Sequence, residues 1–204
     1  MITLYAIAGA CSLAPHIVLE ELGLPYTLRL FQWTDKEVRE ELKKLNPMGQ
    51  VPTLVTEEGY PLAEGAAIMQ YLISKKPNRL FPKEGAQHFK AFEWMNFIST
   101  ALHKAFVPLF KPAVFSDDES HFEAIQRVAR KKLETLLTIT EGKMSGPYAM
   151  GQDFTVVDAY LFAVLNWSKY FKQDLSPYKK LSAFLEYTAQ RPSVASAMKG
   201  EGLE

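Results

Sequence analysis

A small α/β domain followed by an all-helical domain is the fold class this 204-residue chain predicts, and three observations carry that reading. Over the first 75 or so residues, short β-branched and apolar runs alternate with amphipathic stretches of helical period. Pro77-Asn78-Arg79-Leu80-Phe81-Pro82-Lys83-Glu84-Gly85 then breaks all periodicity with two prolines and a glycine. From Ala86 onward no strand pattern remains, and helical patterns follow one another to the end.

Taken in order, Ile2 to Ala6 reads as a strand, Ala8-Gly9-Ala10 as a tight turn, and Ser12 to Leu22 as a helix closed by Gly23. Tyr26 to Phe31 alternates as a second strand. Lys36 to Leu45 is a charged helix with Val38, Leu42 and Leu45 on one side. Val51 to Thr56, a turn at Glu57-Glu58-Gly59 and a short strand near Tyr60 to Leu62 precede a helix from Glu64 to about Lys76. The order βαβαββα predicts a four-stranded mixed sheet with helices on its faces, a thioredoxin-like domain over residues 1–80. Helices are expected at Ala86 to Phe110, Asp117 to Glu141, Val156 to Phe171, Tyr178 to Gln190 and Ser193 to Lys199, forming a helical domain over 86–204.

Composition narrows the function classes. Lys and Arg (23) balance Asp and Glu (23), so the basic excess that marks nucleic-acid or membrane-surface binding is missing. No apolar run reaches the roughly 18 residues of a spanning helix, the N-terminus lacks a secretion-signal layout, and one cysteine does not make a disulfide scaffold. The expectation is a cytoplasmic protein without nucleic-acid or membrane partners. Metal-ligand spacing is absent, so no metal is expected.

Chemistry concentrates at Asn46-Pro47-Met48-Gly49-Gln50-Val51-Pro52-Thr53-Leu54-Val55. Pro52 has no amide hydrogen and stands just before an apolar strand, so a bent turn is expected there, economically made by a cis Val51-Pro52 bond. That geometry aims the Val51 amide and carbonyl out of the sheet, where an extended ligand backbone can pair with them. Glu64-Gly65 opens the next helix, whose unpaired first amides form an anion site. A strand edge beside a carboxylate-binding helix start fits a small peptide with a free carboxylate. Each feature taken singly also reads as an ordinary turn and an ordinary helix start.

Cys11, the only cysteine, stands at the start of the first helix. Helix-start amides favour thiolate over thiol, whereas an ordinary cysteine is only about 3% ionised at pH 7. Read alone, a lone cysteine is more often a small buried hydrophobe. A second stripe, Asn96, Ser99, Thr100 and His103, falls within an arc of about 100° on one helix face, with Phe97, Ile98, Ala101, Leu102 and Ala105 as apolar flanks. Such a stripe on its own is more often a solvated face.

Gly9-Ala10-Cys11-Ser12, Asn46 through Pro52, Glu64 through Ile68 and Asn96 through Lys104, in this order and spacing, resemble the glutathione S-transferases and within them the bacterial beta class. Most other classes place a tyrosine or serine where this chain has Cys11. The resemblance covers essentially the whole chain. It implies the glutathione transferase fold, glutathione as substrate with no cofactor, a hydrophobic electrophile as second substrate, and a homodimer. It implies a glutathione site of Cys11, Lys36, Val51, Pro52, Glu64, Gly65, Asn96, Ser99, Thr100, His103 and Lys104, with Cys11 and His103 catalytic. Lys36 matches a basic group set against the glycine end of the tripeptide, although a surface lysine is the plain alternative. Glu64-Gly65 departs from members with Glu-Ser, so one hydroxyl donor to the γ-glutamyl carboxylate is missing.

Two other function classes stay open at this point. One is a non-catalytic protein that binds glutathione or hydrophobes in a cleft around Phe106, Pro108, Leu109, Phe110 and Tyr170. The other is a monothiol oxidoreductase working through Cys11, since Ala14 stands where a Cys-x-x-Cys pair would need its second thiol. Thr155-Val156-Val157-Asp158 is a capping-box signal and is expected to serve folding. His16 is expected to be packed in the first helix, and Phe81, Phe92 and Trp94 are candidate dimer-interface groups or ordinary core.

Overall fold

The structure, a computed structural model, describes residues 1–203. Four strands, β1 (Ile2–Ala6), β2 (Tyr26–Leu30), β3 (Thr53–Val55) and β4 (Pro61–Ala63), form one sheet in the order β2-β1-β3-β4. β1 and β2 run parallel, pairing Ile2 with Tyr26 through Ala6 with Leu30, whereas β3 is antiparallel to both β1 and β4. The parallel pair is joined through α1 (Leu13–Leu22), as a parallel connection requires. Gly23 closes α1 at φ +58, a left-handed C-cap that a side chain would strain.

Strand alternation divides the sheet into two faces. Ile2, Leu4 and Ala6 are completely buried under α1 and α3 (Gly65–Ser74). Tyr5 points the other way, into a small cluster with Phe31 and Leu42 beneath α2 (Lys36–Leu45). α2 therefore buries a single side and carries charge on the rest, while α1 is apolar nearly all round. The second face of α1 explains this: it packs on helices of the C-terminal part.

That part is all helical: α4 (Gly85–Phe97), α5 (His103–Phe110), α6 (Phe122–Lys143), α7 (Val156–Leu165), α8 (Trp167–Tyr170), α9 (Lys179–Ala189) and α10 (Pro192–Gly200). All ten residues of α7 are buried, which makes it the central rod around which the others pack. α1 lies against both α7 and α10, so one apolar core runs from the sheet into the helices. No helix among the described residues is long and apolar enough to cross a membrane.

Differences from expectation are local. The helix predicted over Ala86 to Phe110 is interrupted by a π turn at Ile98–Leu102, and Val156 to Phe171 is broken at Asn166 into α7 and α8. The helix predicted from Asp117 begins at Phe122, because Asp118 caps a 3₁₀ turn by accepting from the Ser120 amide at 2.9 Å. The expected capping box is present and is deeper than a surface cap: Asp158 is fully buried and accepts from the amides of Thr155 and Ala149, each at 2.7 Å, and from the Thr155 hydroxyl at 2.8 Å. Phe81 and Trp94, read as interface candidates, are 8% and 4% exposed and belong to the core. The exposed aromatic groups of that region are Phe89 (72%) and Phe92 (38%).

Candidate functional site

Because β1 and β2 are parallel, the loops that follow them leave the same edge of the sheet, the edge at which open α/β sheets bind ligands. The loop after β1 carries Cys11. It is folded by Ala10 N–H donating to Ile7 C=O at 3.0 Å and by Ser12 Oγ, which accepts from the Ile7 amide at 3.2 Å. Both polar atoms of the Gly9 peptide are held by the helical domain: Trp167 Nε1 donates to its carbonyl at 2.8 Å, and its amide donates to buried Glu201 at 2.9 Å. Glu201 in turn meets His16 Nδ1 at 2.9 Å, and His16 Nε2 meets Tyr26 at 2.8 Å. His16 is thus packed, as expected, and is a strut beneath the Cys11 loop.

The Cys11 thiol donates to Val51 C=O at 3.3 Å, across the cis Val51-Pro52 bond that the proline signal predicted. Its acidity differs from expectation. Burial pushes the thiol up to about 12, and the Glu64 carboxylate adds to this, while its own amide, the Lys104 ammonium and the Ser12 amide oppose it. The helix start does not rescue the thiolate, for a geometric reason. α1 begins at Leu13, two residues later, and the Leu13 and Ala14 amides are already taken by the Ala10 and Cys11 carbonyls at 3.0 and 3.2 Å. Only the Cys11 and Ser12 amides remain to act on the sulfur.

Glu64 sits at φ +66, an uncommon conformation for a residue with a side chain, as the cap of α3. The first helical bond there runs from Ile68 N–H to Glu64 C=O at 2.9 Å, so the amides of residues 65–67 lack helical partners, the condition for an anion site. A Cβ built on Gly65 would meet only Pro52 Cγ at 3.7 Å, an ordinary contact.

The polar stripe divides. Asn96, Thr100 and Lys104 are exposed. Asn96 Nδ2 donates to Phe92 C=O at 2.9 Å and Thr100 Oγ1 to Asn96 C=O at 2.8 Å, so these side chains are folded back on their own helix. Ser99 is half-buried inside the π turn. That turn makes the regular 100° spacing inapplicable, and His103 points into the helical domain: Nδ1 lies 3.0 Å from the Tyr160 hydroxyl and the ring stands edge-on to Trp167 at 4.8 Å. Burial, with Lys104 adding to it, holds the imidazole down to about 4, hence neutral at pH 7. Lys36, in the first turn of α2, is exposed.

Tyr160 and Trp167 were not singled out from sequence. The Tyr160 phenol is raised first by burial and further by its neighbours Cys11 and Glu64, which places it in the same cluster. A tyrosine in the otherwise apolar stretch Ala159–Leu165 was the available signal, since a buried phenol needs a partner. Beyond Trp167 an aromatic wall leads outward, with Phe110 5.3 Å from Trp167 and Tyr170 stacked on Phe110 at 5.9 Å. Phe106 and Leu109, read as possible cleft lining, are instead buried in the helical core.

Known proteins match this arrangement along both parts of the chain. The family model "Glutathione S-transferase, N-terminal domain" matches residues 8–75, and "Glutathione S-transferase, C-terminal domain" matches residues 97–192. The chain belongs to the glutathione S-transferase family. Glutathione S-transferase GstA of Escherichia coli O157:H7 is 39% identical over 200 residues, 96% of each chain. The bacterial beta class glutathione S-transferase of Sphingomonas chungbukensis superposes with a TM-score of 0.87 at 33% identity, covering 99% of this chain and 100% of that one. A sphingomonad glutathione S-transferase complexed with glutathione gives the same values. Both glutathione S-transferase domains are therefore accounted for, and the beta-class resemblance read from Cys11 agrees with these neighbours.

Proposed function

We propose that this transferase, with domains at residues 1–80 and 86–204, binds glutathione across Val51-Pro52 and stabilises its thiolate for attack on a hydrophobic electrophile. In this reading the Val51 backbone pairs with the tripeptide, Glu64 and the Gly65 amide hold the γ-glutamyl end, and Lys36 meets the glycine carboxylate. Asn96, Ser99, Thr100, His103 and Lys104 close the opposite wall. The supporting observation is the state of Cys11. Its protonated thiol, now bonded to Val51 C=O, is a donor that can turn to the glutathione sulfur, while the Lys104 charge reaches the same point.

The reaction then needs no covalent enzyme intermediate. The glutathione thiol loses its proton to solvent, each pK unit of depression being worth about 1.4 kcal/mol, and the sulfur lone pair attacks the electrophilic carbon while the leaving group departs with the bonding pair. His103, neutral at pH 7, serves as a hydrogen-bonding group held by Tyr160. Parallel assays of a chloronitrobenzene and a mixed disulfide in wild type and Cys11→Ala test this. Conjugation that survives Cys11→Ala within about tenfold is expected; its complete loss, with disulfide reduction as the sole wild-type activity, would favour the monothiol oxidoreductase. Turnover of neither substrate favours the ligand-binding protein, a reading to which the exposed wall of Phe110 and Tyr170 lends weight.

We also infer a homodimer that covers exposed Phe89 and Phe92, and cytoplasmic residence. Light scattering at micromolar concentration decides the first: a monomer mass sinks it.

A further inference from the structure

The two parts of the chain also meet at the outer end of the aromatic wall. Trp33 lies in the loop after β2, on the same sheet edge as Cys11. Lys111, directly after Phe110 at the end of α5, places its ammonium 4.8 Å from the Trp33 ring centroid. Arg39, one turn into α2, lies 5.8 Å from the same ring and donates to the Trp33 carbonyl at 3.3 Å. Neither cation makes an ion pair among the described residues. The nearby Asp35 carboxylate is turned back to accept from the Gln32 amide at 2.8 Å. Two cations thus share one indole, 41% exposed, and Lys111 follows directly on Phe110, against which Tyr170 is stacked.

We propose that Lys111, seated over Trp33 at the cleft rim, is a specificity-determining residue that selects aromatic acceptors bearing an anionic group. A cation over an exposed ring is a weak contact, and an uncompensated pair of positive charges favours an incoming anion. An aromatic acid satisfies both walls: its ring enters between Trp33 and Phe110, and its carboxylate takes the ammonium that the indole face holds in the free protein. A neutral ring gains only the apolar part. This rests on the reading that the cleft holds the acceptor.

The test compares kcat/KM for 4-chloro-3-nitrobenzoate with that for 1-chloro-2,4-dinitrobenzene in wild type, Lys111→Gln and Lys111→Arg. The ratio, anionic over neutral, is expected to fall about fivefold in Lys111→Gln, the size of an exposed charge pair, and to hold in Lys111→Arg. A structural role would lower both acceptors alike and leave the ratio unchanged, which overturns the proposal. So does a raised KM for glutathione in Lys111→Gln with an unchanged ratio, since Lys111 then reads the tripeptide. If wild type turns over neither acceptor, the conjugation reading fails. The proposal is then decided by tryptophan-quenching Kd values of the two compounds on glutathione-loaded protein, which must show the same fivefold change in ratio.

Discussion

The Cys11 thiol donates to the Val51 carbonyl at 3.3 Å, joining the first loop to the strand edge that the tripeptide is proposed to occupy. A thiol used as a donor is a poor nucleophile, and burial raises its pKa further, to about 12. In the free protein, iodoacetamide should therefore alkylate Cys11 at pH 7.5 more slowly than it alkylates free cysteine, with the rate still rising above pH 9. Mass spectrometry reads a single adduct, because the chain has one cysteine. A half-maximal rate below pH 8 would contradict this account.

Gly65 lacks a hydroxyl at the anion-binding start of α3, yet its backbone has room for one, with Pro52 Cγ 3.7 Å from a built Cβ. Gly65→Ser should lower KM for glutathione by about three- to tenfold, the worth of one hydrogen bond to a charged group at a partly solvated site. Isothermal titration with glutathione checks it. Weaker binding by a folded Gly65→Ser protein would show that the γ-glutamyl carboxylate does not sit at this helix start.

His103 makes stability pH-dependent. Its folded pKa is depressed to about 4 against an unfolded value of 6.5. Between these values the unfolded chain binds the proton that the folded chain refuses. Stability from this group is therefore complete above pH 6.5 and is lost as pH falls toward 4, by at most about 3 kcal/mol. Urea midpoints at pH 7 and pH 5 should differ less in His103→Gln than in wild type; equal differences would place the titration elsewhere.

Asp158 holds two buried amides and a buried hydroxyl. Asp158→Ala orphans all three, so the cost should be about 3 kcal/mol in urea unfolding, above the 1–2 kcal/mol that a helix cap typically carries. Glutathione affinity should be retained in protein that folds. A loss under 1 kcal/mol would show that water replaces the carboxylate.

What the sequence alone determined is local. Cys11 in the turn between β1 and α1, the proline turn at Val51-Pro52 and the Thr155 to Asp158 box each lie within a few residues, where periodicity, proline chemistry and capping rules act directly. The tertiary structure decided what those signals do together. Gly9 is gripped by Trp167 and Glu201, 158 and 192 residues away, and His103 is turned by Tyr160, 57 residues away. The π turn at Ile98–Leu102 shifted the helix phase on which the polar stripe depended. Residue types carry no record of such distant partners. The acidity of Cys11 followed the same division: its position near a helix start is local, but burial in the assembled fold and the prior occupation of the Leu13 and Ala14 amides set the balance toward the thiol, because desolvation is a property of the assembled fold.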